Sequence, residues 1–192
     1  INDDMMEVIQ CKTFEQIHEA LIYCAGDLYN KKLNNKEFIE NISNKYYKNG
    51  VVFKSIAEDQ ITGMIAFYCN NITDKKAFLS MIVVKAEYQG KGVGGVLLNQ
   101  MEKECSCLGM SYVVLEVDRT NKNAQGFYSL HGYQIIKKCE DSLFMGKCLA
   151  EKLKNGWSKI RQLSHYSTEQ DRDDTTEHLI RGGSAKGDGS VT

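Results

Sequence analysis

The sequence predicts an α/β domain built on a mixed α+β sheet, with elements in the order β-α-α-β-β-β-α-β-α-β-β. Three observations carry this expectation. Two stretches of helical spacing come early in the chain. Three apolar runs then follow one another with only short polar breaks, the pattern of an antiparallel meander. After a glycine-rich turn, helical and strand patterns alternate, which makes the layout a mixed α/β one with an antiparallel front half.

Each element has its own signal. "MMEVIQC" (Met5–Cys11) reads as a short strand. Thr13 is an N-cap with Gln16 at the capping-box position. Phe14, Ile17, Leu21 and Cys24 or Ala25 then keep helical spacing. Asn34 or Asn35 opens a second helix, with Phe38, Ile39, Ile42 and Tyr46 on one side and Asn49–Gly50 at its end. "VVFKSIAE", "ITGMIAFYC" and "KAFLSMIVV" are the meander strands, divided by Asp59–Gln60 and by "NNITDK". Val93, Val96, Leu97, Met101 and Cys105 or Leu108 mark a third helix that Gly109 ends. "SYVVLEVD" is a buried strand, and "NKNAQGFYSLHG" is a short helix closed by Gly132. "YQIIKKC" and "SLFMGKCL" are two last strands joined at Glu140–Asp141. This domain spans residues 5–149. Leu149, Leu153, Trp157, Ile160 and Leu163 suggest an amphipathic helix over 150–164. The polar stretch 165–192 lacks the apolar residues needed to order itself.

Composition narrows the function classes. The 192 residues are 42% hydrophobic, enough for one well-cored domain and an appendage. The net charge of −1 makes no electrostatic case for a nucleic-acid or membrane partner. No apolar run approaches the roughly 18–20 residues of a membrane span, and no secretory h-region appears. The seven cysteines are odd in number and scattered through apolar stretches, so reduced thiols and a cytoplasmic setting are expected. Cys105 and Cys107 lack the spacing of a zinc site, and the four histidines form no ligand pattern, so no metal is expected.

The chemistry concentrates at "VVKAEYQGKGVGG" (Val83–Gly95), where an apolar strand end leads through a polar link into four glycines. A tight glycine turn opening a helix presents free backbone N–H groups and the positive end of the helix dipole to an anion. Gly90, Gly92 and Gly95 satisfy G-x-G-x-x-G, and Glu116 lies where a dinucleotide fold places its ribose acid. A Rossmann-like dinucleotide-binding module is therefore one reading. Against it stand the polar link Lys85–Gln89, the preceding antiparallel strands and the lack of further βα units. No Gly-Lys-Ser/Thr follows, which excludes a Walker A loop.

Two segments fit another pattern better. Leu79-x-x-Ile82-x-Val84, then Gln89-x-x-Gly92-Val93-Gly94 and a helix, resembles the acetyl-coenzyme A signature of the GNAT superfamily of N-acyltransferases. Asn121-x-x-Ala124-x-x-Phe127-Tyr128-x-x-x-Gly132-Tyr133 resembles the later block of that superfamily. The order of elements agrees over Met5 to Leu149. One departure is Ala86, where the family commonly has proline in a strand exit; this chain contains no proline.

The resemblance implies direct transfer of an acetyl group from acetyl-coenzyme A to the amine of a small molecule, or of a protein N-terminus. The alternative within this fold is a non-catalytic acyl-coenzyme A sensor. The amides of Gln89, Gly90, Lys91, Gly92, Val93 and Gly94 are assigned to the pyrophosphate. The strand end Ile82, Val83 and Val84 is expected to splay from its neighbour and pair with the pantetheine arm. Asn121 and Phe127 complete the cofactor side. Tyr128 is the candidate proton donor to the leaving thiolate, and Glu116 the candidate base that deprotonates the ammonium. Asn121 as a helix cap is the competing reading of that residue. The segment Gly26–Lys36 is expected to shape the acceptor side, Asp27, Tyr29 and Tyr68 are candidate contacts to a small polar amine, and His131 is read as a surface residue. A monomer or homodimer is expected.

Overall fold

The computed structural model describes residues 6–29, 31 and 35–150. The expected helix over 150–164 and the polar stretch beyond it fall outside those residues, apart from Ala150.

All eleven elements occur in the expected order. They are β1 (Glu7–Cys11), α1 (Phe14–Cys24), α2 (Lys36–Asn49), β2 (Val51–Ala57), β3 (Gln60–Asn71), β4 (Lys76–Val84), α3 (Val93–Cys107), β5 (Tyr112–Asp118), α4 (Lys122–Leu130), β6 (Gln134–Lys138) and β7 (Ser142–Cys148). Short 3-10 turns follow α1 at Ala25–Asp27 and β4 at Ala86–Tyr88. The strands form one seven-stranded sheet in the order β1-β2-β3-β4-β5-β7-β6. β4 and β5 are parallel, and every other neighbouring pair is antiparallel. That topology overturns the dinucleotide reading, which needs a run of parallel strands rather than one parallel pair inside an antiparallel frame.

Helices cover both faces. On one face, Ile17, Leu21 and Cys24 of α1 and Ile39, Ile42 and Tyr46 of α2 pack on Val52, Met64, Met81 and Val83. On the other, Leu97, Met101 and Cys105 of α3 and Phe127 and Tyr128 of α4 pack on Ile65, Leu79, Ile82, Leu115 and Val117. Full burial of each aliphatic side chain stabilises the fold by about 1.5–3 kcal/mol. The buried stripe of α3 differs from the expected one in two places. Leu98 is buried while Val96 is only partly covered, and Leu108 is 47% exposed, because the helix presents Val93, Leu97, Leu98, Met101 and Cys105 to the sheet.

The ends of the helices are held as the sequence suggests. Thr13 and Gln16 form a reciprocal capping box on α1. Asn35 caps α2 by accepting from the Phe38 amide at 2.8 Å. All seven cysteines are free thiols.

The geometry that creates a site is a failure of pairing. β4 and β5 pair only from Lys76↔Tyr112 to Leu79↔Leu115. Beyond Leu79, a register shift against β3 leaves Ser80 as an extra residue, and Ser80–Val84 have no partner in β5. β5 continues meanwhile against β7 as far as Asp118↔Ser142. The two parallel strands therefore diverge at their C-terminal ends, the place where open α/β sheets take ligands.

Candidate functional site

The glycine turn lies beside this divergence. Lys85 leaves β4 with its amide on the Thr62 carbonyl at 2.9 Å. The turn Ala86–Tyr88 follows, and Gln89 closes it by donating its amide to the Ala86 carbonyl at 3.3 Å. The Gln89 side chain reaches back to the Val84 carbonyl at 3.0 Å. Gln89 thus shapes the turn, and its own amide is already engaged. Gly90 and Gly92 have φ of 79° and 82°, a region that costs other residues steric strain. Gly92 is the N-cap of α3 and offers no side chain to cap it.

As a result the amides from Gly90 to Gly95 donate to no backbone acceptor among the described residues. These orphan donors gather at the positive end of a fifteen-residue helix. The strip is one residue later than the expected Gln89–Gly94 set. It fits a diphosphate, which needs converging N–H donors and a close backbone approach. Lys91 is exposed, with its ammonium 5.2 Å from the centre of the Tyr88 ring.

Glycine has a second cause at two of these positions. A Cβ on Gly94 would stand 3.2 Å from the Phe127 ring, and one on Gly95 would stand 3.1 Å from His131 Nε2. Phe127 therefore supports the turn from behind, on the core side. His131 is not a plain surface residue. It is half-buried, its Nδ1 lies 2.8 Å from the Phe127 carbonyl oxygen, and its ring centre is 4.4 Å from that of Phe127. The side chains of Ile82, Val83, Val84 and Val93 are all core, so only their backbone is available to a ligand.

The two candidate catalytic residues sit on opposite faces of β5. Val113, Leu115 and Val117 join the α3–α4 core, so Glu116 points to the α1–α2 face. Glu116 is partly exposed, and Ser142 Oγ donates to its Oε1 at 2.5 Å. Tyr128 is buried in the α3–α4 core, with ring centres of Phe127 at 5.3 Å and Tyr133 at 5.8 Å. Burial holds the Tyr128 phenol well above its ordinary pKa, so it stays protonated throughout the neutral range. Asn121 caps α4, with Oδ1 accepting from the Ala124 amide at 3.0 Å.

The acceptor-side expectations divide. Tyr68 is a core residue packed against Tyr46 at 5.9 Å, so it does not line the opening. Tyr29 is 43% exposed, and its hydroxyl lies 3.1 Å from Thr120 Oγ1. Thr120 donates both its amide and its hydroxyl to Asp118 Oδ1, at 2.7 and 2.5 Å. Asp27 is committed to Lys85 and Ala86. Ser142, Thr120 and Gln125, whose Nε2 holds the Asp118 and Arg119 carbonyls at 2.9 and 3.0 Å, had no sequence signal beyond polarity.

Comparison with known proteins agrees with this geometry. The model of the acetyltransferase (GNAT) family matches residues 14–133. PaiA N-acetyltransferase of Thermoplasma acidophilum, solved with coenzyme A, is 21% identical at a TM-score of 0.58, over 74% of this chain and 99% of that one. The ribosomal-protein-S18-alanine N-acetyltransferase of Escherichia coli is 17% identical at a TM-score of 0.64, over 79% and 98%. A GNAT-family acetyltransferase of Staphylococcus aureus is 21% identical at 0.60, over 75% and 100%. At such identities these structures share the fold. Joined to the family match over most of the described residues, the site geometry leads to one conclusion: this chain belongs to the GNAT acetyltransferase family and is an acetyl-coenzyme A-dependent acyltransferase.

Proposed function

We propose that the protein is an N-acetyltransferase acting on the primary amine of a small polar molecule by direct attack. The observation that carries this reading is the diverging β4–β5 pair, with free backbone of Ser80–Val84 on one side and the carboxylates of Glu116 and Asp118 on the other. Acetyl-coenzyme A, when bound, supplies the activated thioester. Residues Gly90–Gly95 would hold its diphosphate, and the unpaired edge of β4 would take the amide-rich arm by strand addition.

The chain's own groups then have distinct tasks. An ammonium must lose a proton before it attacks, and Glu116 on the α1–α2 face is the carboxylate that takes it, directly or through water. Ser142 fixes the orientation of that carboxylate. Tyr128 supplies a hydroxyl that remains protonated, donating a hydrogen bond toward the departing sulfur. Its apolar surroundings disfavour a phenolate, so the role is hydrogen bonding rather than complete proton release. Asp118, Thr120 and Tyr29 form a polar rim suited to a cationic acceptor. A protein N-terminus is the second reading, favoured by Glu116 in its "LEV" setting and by the likeness to the S18 alanine enzyme.

Titration calorimetry with coenzyme A and NAD, followed by thiol release with acetyl-coenzyme A, tests the proposal. Coenzyme A binding and thiol release with small amines are expected. Release only with N-terminal peptides selects the second reading. Binding without turnover on any amine or peptide makes the protein a sensor, and NAD binding without coenzyme A binding sinks the proposal entirely.

A further inference from the structure

We propose that Asp27 is a positioning residue that clamps the acceptor-side connection to the cofactor-binding turn, so that coenzyme A binding at the turn also orders the acceptor side. The inference rests on the functional reading above and deepens it.

Asp27 ends the short turn after α1, and both of its carboxylate oxygens are engaged. Oδ2 lies 2.8 Å from Lys85 Nζ, and Oδ1 accepts the Ala86 amide at 3.2 Å. Lys85 Nζ also donates to the Tyr23 carbonyl at 3.3 Å, one of the last acceptors of α1, and stands 5.0 Å from the centre of the Tyr23 ring. The two charged side chains are only 15% and 18% exposed, so this pair is less screened than an ordinary surface pair. The hydrogen bond to Asp27 raises the pKa of Lys85.

The clamp joins the two halves of the site. Downstream of Ala86 the chain runs through Gln89 into the strip of free amides at Gly90–Gly95. Downstream of Asp27, Tyr29 reaches Thr120 at the exit of β5. Asp27 and Tyr29 therefore tie one short segment to both diverging strand ends. The clamp also accounts for Ala86. Proline has no N–H, so at this position it would remove the donor that Asp27 accepts. Alanine at 86 and a carboxylate at 27 form one unit.

The test uses the full chain with Asp27→Asn, Asp27→Ala, Ala86→Pro and the Asp27→Ala/Ala86→Pro double variant. Calorimetry gives the affinity for coenzyme A, and amide hydrogen exchange reads residues 25–29 with and without coenzyme A. In the wild type, coenzyme A slows exchange in that segment. Asp27→Ala abolishes this protection and weakens coenzyme A by about five-fold or more. Asp27→Asn keeps the side-chain shape and an oxygen for the Ala86 amide, so it retains part of both effects and serves if the alanine variant does not fold. Ala86→Pro alone weakens coenzyme A, yet within the Asp27→Ala background it adds less than about twofold, because the amide has already lost its partner. Effects that simply multiply, or protection that persists without Asp27, overturn the clamp alone. Wild-type protein that does not bind coenzyme A overturns the functional reading and the clamp with it.

Discussion

The role proposed for Tyr128 rests on the same burial that makes it resemble an ordinary core residue. Desolvation penalises the phenolate, so the hydroxyl keeps its proton at neutral pH, as the proposed donor to a leaving thiolate must. Tyr128→Phe removes only that oxygen and leaves the ring packing with Phe127 and Tyr133 in place. Turnover is expected to fall by about 10²-fold, the low end for a lost acid–base group. Coenzyme A affinity should stay within about twofold, as for an interaction made mainly in the transition state. Parallel loss of affinity and rate in calorimetry and thiol-release assays would make Tyr128 structural. Motif position brought Tyr128 and Glu116 forward as candidates. It could not single out Ser142, which lies 26 residues from Glu116 and meets it only because β5 and β7 pair at Asp118↔Ser142.

At the scale of elements, the glycines do different jobs that a one-letter pattern cannot separate. Gly92 has open space around its missing Cβ but a φ of 82°, so Gly92→Ala should cost about 1–2 kcal/mol from backbone strain. Gly63 has no positive φ, yet a Cβ there would lie 2.6 Å from the Val83 carbonyl oxygen and 3.2 Å from Leu97 Cδ1. Backbone cannot step aside as a flexible side chain does. Gly63→Ala should therefore push β3 from β4 and cost about 1–3 kcal/mol or more. It should also disturb coenzyme A binding, because the same β4 residues form the free edge. Denaturant midpoints rank the two variants, and a milder effect at Gly63 than at Gly92 would contradict this account of the close approach. Thr13 supplies a control far from the site. Thr13→Ala removes the capping box of α1 and should lower stability by about 1 kcal/mol with coenzyme A affinity unchanged.

For the whole molecule, the buried thiols and phenols set how the fold responds to alkali. Burial pushes the Cys24 thiol up to about 12 and the Cys11 thiol up to about 11, from 9.0. Tyr128 and Tyr133 are raised by burial as well. Below pH 9 the folded and unfolded chains both keep the thiol protons, and these groups have no effect on the pH dependence. As pH rises above 9, the unfolded chain releases its protons first, so stability falls through the window up to the folded values. Each fully shifted group contributes a slope of at most about 1.4 kcal/mol per pH unit. Denaturant unfolding at a series of pH values checks this, with Cys24→Ala expected to flatten the loss between pH 9 and 12. An unchanged slope in that variant would remove Cys24 as a cause.

The sequence by itself determined the order of elements, the position of the glycine turn that opens α3 and the family. These depend on local periodicity and on motifs whose spacing is written along the chain. Ile82–Val84 as a strand edge and Tyr128 on a short helix were legible for the same reason. Only the tertiary structure decided which donors are free, since Gln89 is withdrawn by the Ala86 carbonyl and Gly95 enters. It also decided that Tyr68 is core, that His131 and Phe127 back the turn, and that Asp27 holds the Ala86 amide 59 residues away. Each of these is a contact between segments remote in sequence. Hydrophobic pattern specifies which face of an element is buried, whereas the partner across the gap follows only from how the elements pack.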